Sequence, residues 1–317
     1  MREIKTFAER AKILISDESR KKYFFVYEGS DTERIYFEAI NNLREDIGIN
    51  PLIELIPLLR SFGEMGWSNP KKLLDRVIRD LEESKTGNIT YETLINRIMD
   101  CLLEDKRIAV SKKQISSVWK TLSWICEEKL NKELRSQVDH IEHECNEIVE
   151  LLQKESEIIN VVSDISKIIK NSGITYSEGF DKICLIVDRD RKSFVSNPDN
   201  NQYEYVLNKC IEKNFGFYIT NPCFEFWLLL HFDEVHNIDK VKLLNNDKVT
   251  AKKNFAEHEL SKLCTGYKKS SYKADKLVED IDKAIVNEKL FCEDPNLLEN
   301  NIGCNIGLLI EELRCPQ

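Results

Sequence analysis

Five apolar residues run without interruption from Ile183 to Val187, three of them β-branched, and the run ends on Asp188-Arg189-Asp190-Arg191-Lys192. A short run of this kind reads as a strand buried on both faces of a parallel sheet. Open α/β sheets place their chemistry at the carboxyl ends of such strands. Two aspartates one residue apart at that end can grip a hard divalent cation such as Mg²⁺ through oxygen. The plain alternative is an acidic strand-to-loop turn, since Asp is a common turn residue.

The rest of the chain repeats the alternation. Tyr23-Phe24-Phe25-Val26-Tyr27 reads as a second buried strand, aromatic and β-branched. It runs into Glu28-Gly29-Ser30-Asp31-Thr32-Glu33 and then a helix carrying Ile35, Tyr36, Phe37, Ile40 and Leu43, the opening of a βα unit. A lead-in helix is expected over Arg2–Ser16 and a further strand over Leu52–Ile56. Asn69-Pro70 begins another helix, because Pro suits a first helical position. Downstream, Gln202–Lys213 reads as a helix and Phe215–Thr220 as a strand. Asn221 then caps, and Pro222 opens, an apolar helix with Phe224, Phe226, Trp227 and Leu228 to Leu230. A basic loop, Gly266–Lys273, and an amphipathic helix over Asn305–Leu313 close the chain.

Between Ser84 and Asn171 the character changes to Lys, Glu, Asn and Ser alternating with Leu, Ile and Val at helical spacing. Tyr91–Leu103, Ile115–Leu134 and Val138–Ile169 all read as helices. The expected organisation is an α/β domain of residues 1–84 and 173–317 with an all-helical insertion, 85–172.

Length allows one large core, or one core with an added subdomain, in 317 residues. A formal net charge of −9 opposes indiscriminate nucleic-acid binding but leaves room for a locally basic cleft. The ten cysteines form no C-x-x-C pair, and no secretory leader or long apolar run is present. They are expected to be reduced, mostly buried thiols in a soluble, cytoplasmic protein without membrane association.

Several side chains have two readings. Glu28 is a metal ligand or general acid/base at a strand end, or else a helix-entry acid favoured by the dipole. Ser30 and Glu33 have capping-box spacing. Glu225 falls in the first turn of its helix, where an acid is favourable in any case. Trp227 and its neighbours read as core, and His231 as packed or hydrogen-bonded. His140, His143 and Cys145 lack a second ligand pair for zinc and read as a solvated helix face. Arg189, Arg191 and Lys192 surround the aspartates. Lys268, Lys269 and Lys273, interleaved with Tyr267 and Tyr272, can contact a nucleic-acid backbone or simply form a solvated loop.

Glu-Gly after one strand and Asp-x-Asp after a later one resembles the carboxylate pattern of the TOPRIM fold. The blocks VYEGSDTERIYF (Val26–Phe37), LIVDRD (Leu185–Asp190) and TNPCFEFWLLLHF (Thr220–Phe232) are similar to three blocks of the RloB family. That resemblance covers roughly 22–84 and 173–317. It implies a TOPRIM-like, mostly parallel sheet flanked by helices. It implies a Mg²⁺- or Mn²⁺-dependent nuclease acting on DNA or RNA, tRNA among the candidates. Glu28, Asp188 and Asp190 would be the metal and catalytic residues, with Glu225 a further catalytic candidate. It also implies an ABC/SMC-type ATPase partner and a restriction-linked or phage-defence setting, with homo-oligomerisation a further expectation.

Rival readings fit less well. A haloacid-dehalogenase phosphatase needs Thr or Val where Lys192 stands, and a receiver domain needs an acidic pair after its first strand. A non-cleaving TOPRIM subunit, regulatory or nucleic-acid-binding, is the alternative, and it is disfavoured by the retention of Glu28, Asp188 and Asp190.

Overall fold

The structure is a computed structural model, and it describes residues 20–29, 31–58, 69–104, 112–156, 176–189, 194, 196–197 and 200–316. The described residues fall into two compact units, one between 76 and 176 and the other comprising 20–58, 69–75 and 177–316.

The larger unit is built on a five-stranded sheet. Its strands are β1 (Lys21–Tyr27), β2 (Ile53–Leu58), β3 (Lys182–Asp188), β6 (Gly216–Asn221) and β7 (Gly303–Cys304), in the order β2-β1-β3-β6-β7. The pairings of β1 with β2 and β3, and of β3 with β6, are parallel; β7 joins β6 antiparallel. This is the mostly parallel α/β architecture the apolar runs require, and it is consistent with a TOPRIM-like fold. Ile183 to Val187 are all about 1% exposed or less, which is why the run carries no polar alternation. A two-residue hairpin, β4 (Ser196–Asn197) with β5 (Asn200–Asn201), follows β3.

Helices cover the sheet. Helix α1 (Thr32–Asn42) follows β1, and its Tyr36 and Phe37 pack against Phe224 and Trp227 of α7 (Phe224–Leu229). Tyr36 meets Phe224 and Trp227 edge-on, contacts worth about 0.5–1.5 kcal/mol each beyond burial. Its hydroxyl lies 2.9 Å from His231 Nε2, while His231 Nδ1 lies 3.2 Å from the carbonyls of Trp227 and Leu228. His231 is thus a hydrogen-bonded core residue, as its apolar helix suggested.

Helix α2 (Pro70–Thr86) begins as expected, with Asn69 Oδ1 accepting from Lys72 N at 3.1 Å. Helix α6 (Gln202–Lys213) has the predicted bounds. Helix α7 does not: Asn221 is the last residue of β6, and its side-chain amide donates to the Leu298 carbonyl at 2.7 Å. Asn221 is therefore not free to cap the helix. The Asn221–Pro222 bond is cis and Cys223 stands at the N-cap. Helices α8 (Lys240–Asn245), α9 (Phe255–Leu263), α10 (Ala274–Val278), α11 (Ile281–Glu288) and α12 (Ile306–Arg314) complete the unit.

The smaller unit is helical. It contains most of α2, then α3 (Tyr91–Glu104), α4 (Lys112–Trp124), a π-helical turn (Ile125–Lys129) and α5 (Ile141–Glu155). Leu94, Ile98, Leu122, Cys145, Ile148 and Leu152 meet in one apolar cluster. Cys145 belongs to that core instead of the solvated face expected for it, whereas His140 and His143 are exposed. The helix expected over Ile115–Leu134 ends early, at Lys129, and Val138–Ile169 is helical only over Ile141–Glu155 among the described residues. The lead-in helix over Arg2–Ser16 lies outside them.

Candidate functional site

The carboxyl ends of β1 and β3 bring acids together. Tyr27 of β1 pairs with Ile186 of β3, and Glu28 N donates to the Ile186 carbonyl at 3.0 Å. Glu28 Oε2 then accepts the backbone N–H of Asp188 at 2.9 Å. Asp188 pairs in register with Thr220 of β6, whose hydroxyl donates to Asp188 Oδ1 at 2.7 Å. Arg189 N donates to the Thr220 carbonyl at 2.7 Å, which fixes the chain just beyond the aspartate.

Two further acids lie against this pair. Glu33, on the first turn of α1, is 4% exposed, and its Oε1 accepts from Gly29 N at 3.1 Å. A Cβ on Gly29 would collide with the Glu33 carboxylate, so glycine is the residue that lets the turn close over it. The helix N-cap is Asp31, whereas the capping-box reading paired Glu33 with Ser30. Ser30 itself lies outside the described residues. Glu225, at the start of α7, is 2% exposed and receives the Tyr267 hydroxyl at 3.1 Å and the Lys269 ammonium at 2.8 Å, both on Oε1.

The crowding shows in proton affinity. Burial, reinforced by the charges of Glu33 and Glu225, raises Asp188 well above the usual carboxylate range, while the Thr220 hydroxyl and Lys269 pull it down. Burial, then Glu225 and Glu28, pushes Glu33 up to about 7. Glu225 goes the other way: against the effect of burial, the Lys269 ammonium and its hydrogen bond hold it low.

The basic residues separate. Arg189 is 6% exposed, its guanidinium 5.6 Å from the rings of both Phe194 and Tyr203 and 3.4 Å from Glu299. Arg189 is thus held among Phe194, Tyr203 and Glu299. Lys268 and Lys273 are exposed on their turn, whereas Lys269 reaches Glu225. Asp190, Arg191 and Lys192 lie outside the described residues.

A hard divalent cation suits this donor set in chemistry: buried carboxylate oxygens that repel one another are what such an ion neutralises. Hydrogen bonds already orient these carboxylates through Glu28 Oε2, Glu33 Oε1 and Asp188 Oδ1. Among the described residues, no three His, Cys, Asp or Glu side chains already stand as a ligand set. Sequence reasoning missed Glu33 as a member of the cluster, although the Thr-Glu of the first motif block contains it. It also missed Thr220, the residue preceding Asn-Pro in the third block.

No curated protein and no solved structure matches the chain. No helix among the described residues is long and apolar enough to cross a membrane. The family model described as RloB-like protein matches residues 122–313. The match takes in the second and third motif blocks and more than half of the helical segment, and it leaves out the block at Val26–Phe37. Since it spans more than half of the sequence, the chain belongs to the RloB-like family.

Proposed function

We propose that this protein is a divalent-metal-dependent nuclease that hydrolyses phosphodiester bonds of DNA or RNA, tRNA among the candidate substrates. The observation that carries the reading is the convergence of Glu28 and Asp188 across neighbouring parallel strands, with Glu33 and Glu225 crowded against them. Glu28 and Asp188, with Asp190 by family resemblance, would hold Mg²⁺ or Mn²⁺, which supplies charge neutralisation at the phosphate and a more acidic attacking water.

The chain's own groups divide the remaining work. Thr220 orients the Asp188 carboxylate through Oδ1. Glu33 has its Oε1 on the Gly29 amide, so a proton exchanged with water or the leaving oxygen would sit at Oε2. Its affinity near neutrality suits that exchange. Family resemblance alone supports the wider setting: an effector in a phage-defence or restriction-linked system, working with an ABC/SMC-type ATPase.

The test is a panel of labelled plasmid, linear DNA, tRNA and mRNA incubated with the full chain in Mg²⁺ or Mn²⁺ and in EDTA. Cleavage of at least one substrate, lost in EDTA and in Glu28→Gln and Asp188→Asn, is expected. Binding without cleavage under every condition supports the non-cleaving TOPRIM subunit instead.

A further inference from the structure

The ammonium of Lys269 moderates the proton affinities of three acids of the site, Asp188, Glu33 and Glu225. Lys269 lies 44 residues downstream of Glu225, on a polar turn where a solvated side chain is the ordinary outcome. It is not left to solvent. The turn is closed by Lys268 N donating to Ser271 O at 3.2 Å and Ser271 N donating back to Lys268 O at 2.9 Å. The Lys269 carbonyl accepts the Thr32 hydroxyl at 3.3 Å, and Tyr272 donates to the Thr32 carbonyl at 2.7 Å. Tyr267 stacks obliquely on Tyr272, ring centroids 5.3 Å apart, and reaches Glu225. The tip is thus pinned from the start of α1 and from α7.

An ammonium has three donors, and Glu225 Oε1, at 2.8 Å, takes one. The Lys269 side chain is 54% exposed, against 2% for the Glu225 side chain it meets, so the lysine stands where the site opens to solvent. Glu225, by contrast, is nearly saturated. Oε1 accepts from both Tyr267 and Lys269, and the Cys223 thiol also donates to the carboxylate. A carboxylate so occupied is a poor candidate for metal ligation and a good holder of a cation.

We propose that Lys269 binds a non-bridging oxygen of the substrate phosphodiester, and that Glu225 is a positioning residue that aims its ammonium. This rests on the nuclease reading above and divides its roles: Glu28 and Asp188 serve the metal, while Glu225 and Lys269 serve the phosphate. A fixed donor in a partly desolvated site stabilises developing phosphate charge without reorganising at the moment of reaction.

The experiment compares Lys269→Met, Lys269→Arg, Glu225→Gln and the Lys269→Met/Glu225→Gln pair in the full chain, on whichever substrate of the panel is cleaved. Thermal melts check folding. Lys269→Met should lower kcat/KM about 10²-fold, the loss typical of one such donor, with the Mn²⁺ concentration for half-activity unchanged. Lys269→Arg should recover part of that loss. The double variant should be no worse than Lys269→Met, because Glu225 acts through the lysine. Parent-like cleavage by Lys269→Met overturns the proposal. So does a Glu225→Gln variant whose Mn²⁺ requirement rises, which would make Glu225 a ligand. If the parent cleaves nothing, the nuclease reading fails by itself. The proposal is then read from binding of a labelled oligonucleotide in Ca²⁺: weaker binding by Lys269→Met keeps it, and equal or absent binding overturns it.

Discussion

The backbone amide of Asp188 donates to Glu28 Oε2 at 2.9 Å, so one candidate metal ligand is seated by the main chain of the other. Glu28 also uses its own amide, on Ile186, to extend the β1/β3 ladder beyond Tyr27. The separation of the two acids is therefore set by strand register and not by side-chain choice.

That arrangement separates stability from chemistry at Glu28. Glu28→Gln keeps an oxygen for the Asp188 amide and should unfold in urea like the parent. Glu28→Ala leaves that amide without its acceptor and should lose about 1–3 kcal/mol. Both should lose cleavage by about 10²-fold or more. Retained cleavage in Glu28→Gln would show that the carboxylate charge is not used.

Thr220→Val removes the hydroxyl that favours the charged form of Asp188 while keeping volume and strand propensity. Losing a hydrogen bond of this supporting kind typically costs 10–100-fold in metal affinity. The expected result is a Mg²⁺ titration displaced to higher concentration by about that factor, with maximal rate largely recovered at saturation. An unmoved titration would remove Thr220 from the site.

Gly29→Ala places a methyl group where the Glu33 carboxylate lies. Glu33 should be expelled, and the limb of the pH–rate profile near 7 should go with it, since burial and the neighbouring acids set that value. Circular dichroism should stay close to that of the parent. An unchanged profile would assign that limb to another group.

Glu288 gives a pH dependence away from the site. It is fully buried at the end of α11, its Oε1 accepting from Gly307 N at 3.0 Å and from the Cys304 thiol at 2.9 Å. Burial pushes it up to about 8 from an ordinary 4.5. A raised folded-state value means the unfolded chain binds fewer protons between 4.5 and 8, so stability falls with rising pH there, by up to about 1.4 kcal/mol per unit. His231, lowered to about 4 by burial, has the opposite slope between about 4 and 6.5. Between pH 6.5 and 8 the His231 contribution is over, and Glu288→Gln separates Glu288 from Glu33 and Asp188, whose raised values act in the same direction. The parent should weaken across that window and Glu288→Gln should weaken less. Equal slopes would show that the Glu288 carboxyl titrates normally.

The parallel strands were legible because burial on both faces writes itself into composition: Tyr23 to Tyr27 and Ile183 to Val187 admit no polar residue. Strand β7 was not, because Gly303 and Cys304 are extended by pairing with residues distant in sequence, Asn221 and Thr220. At the site, Glu28 and Asp188 stood out because each follows a buried strand. Glu33 was hidden behind a local explanation, helix capping, while its burial comes from residues distant in sequence. The burial of Arg189 was not legible, because charge alone does not say which way a side chain turns at a strand end. Lys269 could not be told from Lys268 and Lys273, since only the fold of the turn distinguishes them.

The pairing of β1 with β3 has a consequence for the growing chain. Glu28 and Asp188 are separated by 160 positions, so their contact must close a long loop, and contacts of that range form late. Glu225 and then Lys269 emerge later still. During synthesis the acids accumulate one at a time, and an N-terminal fragment that ends between Glu225 and the Lys269 turn carries all four acids without that ammonium. The site is complete only once most of the protein has been made.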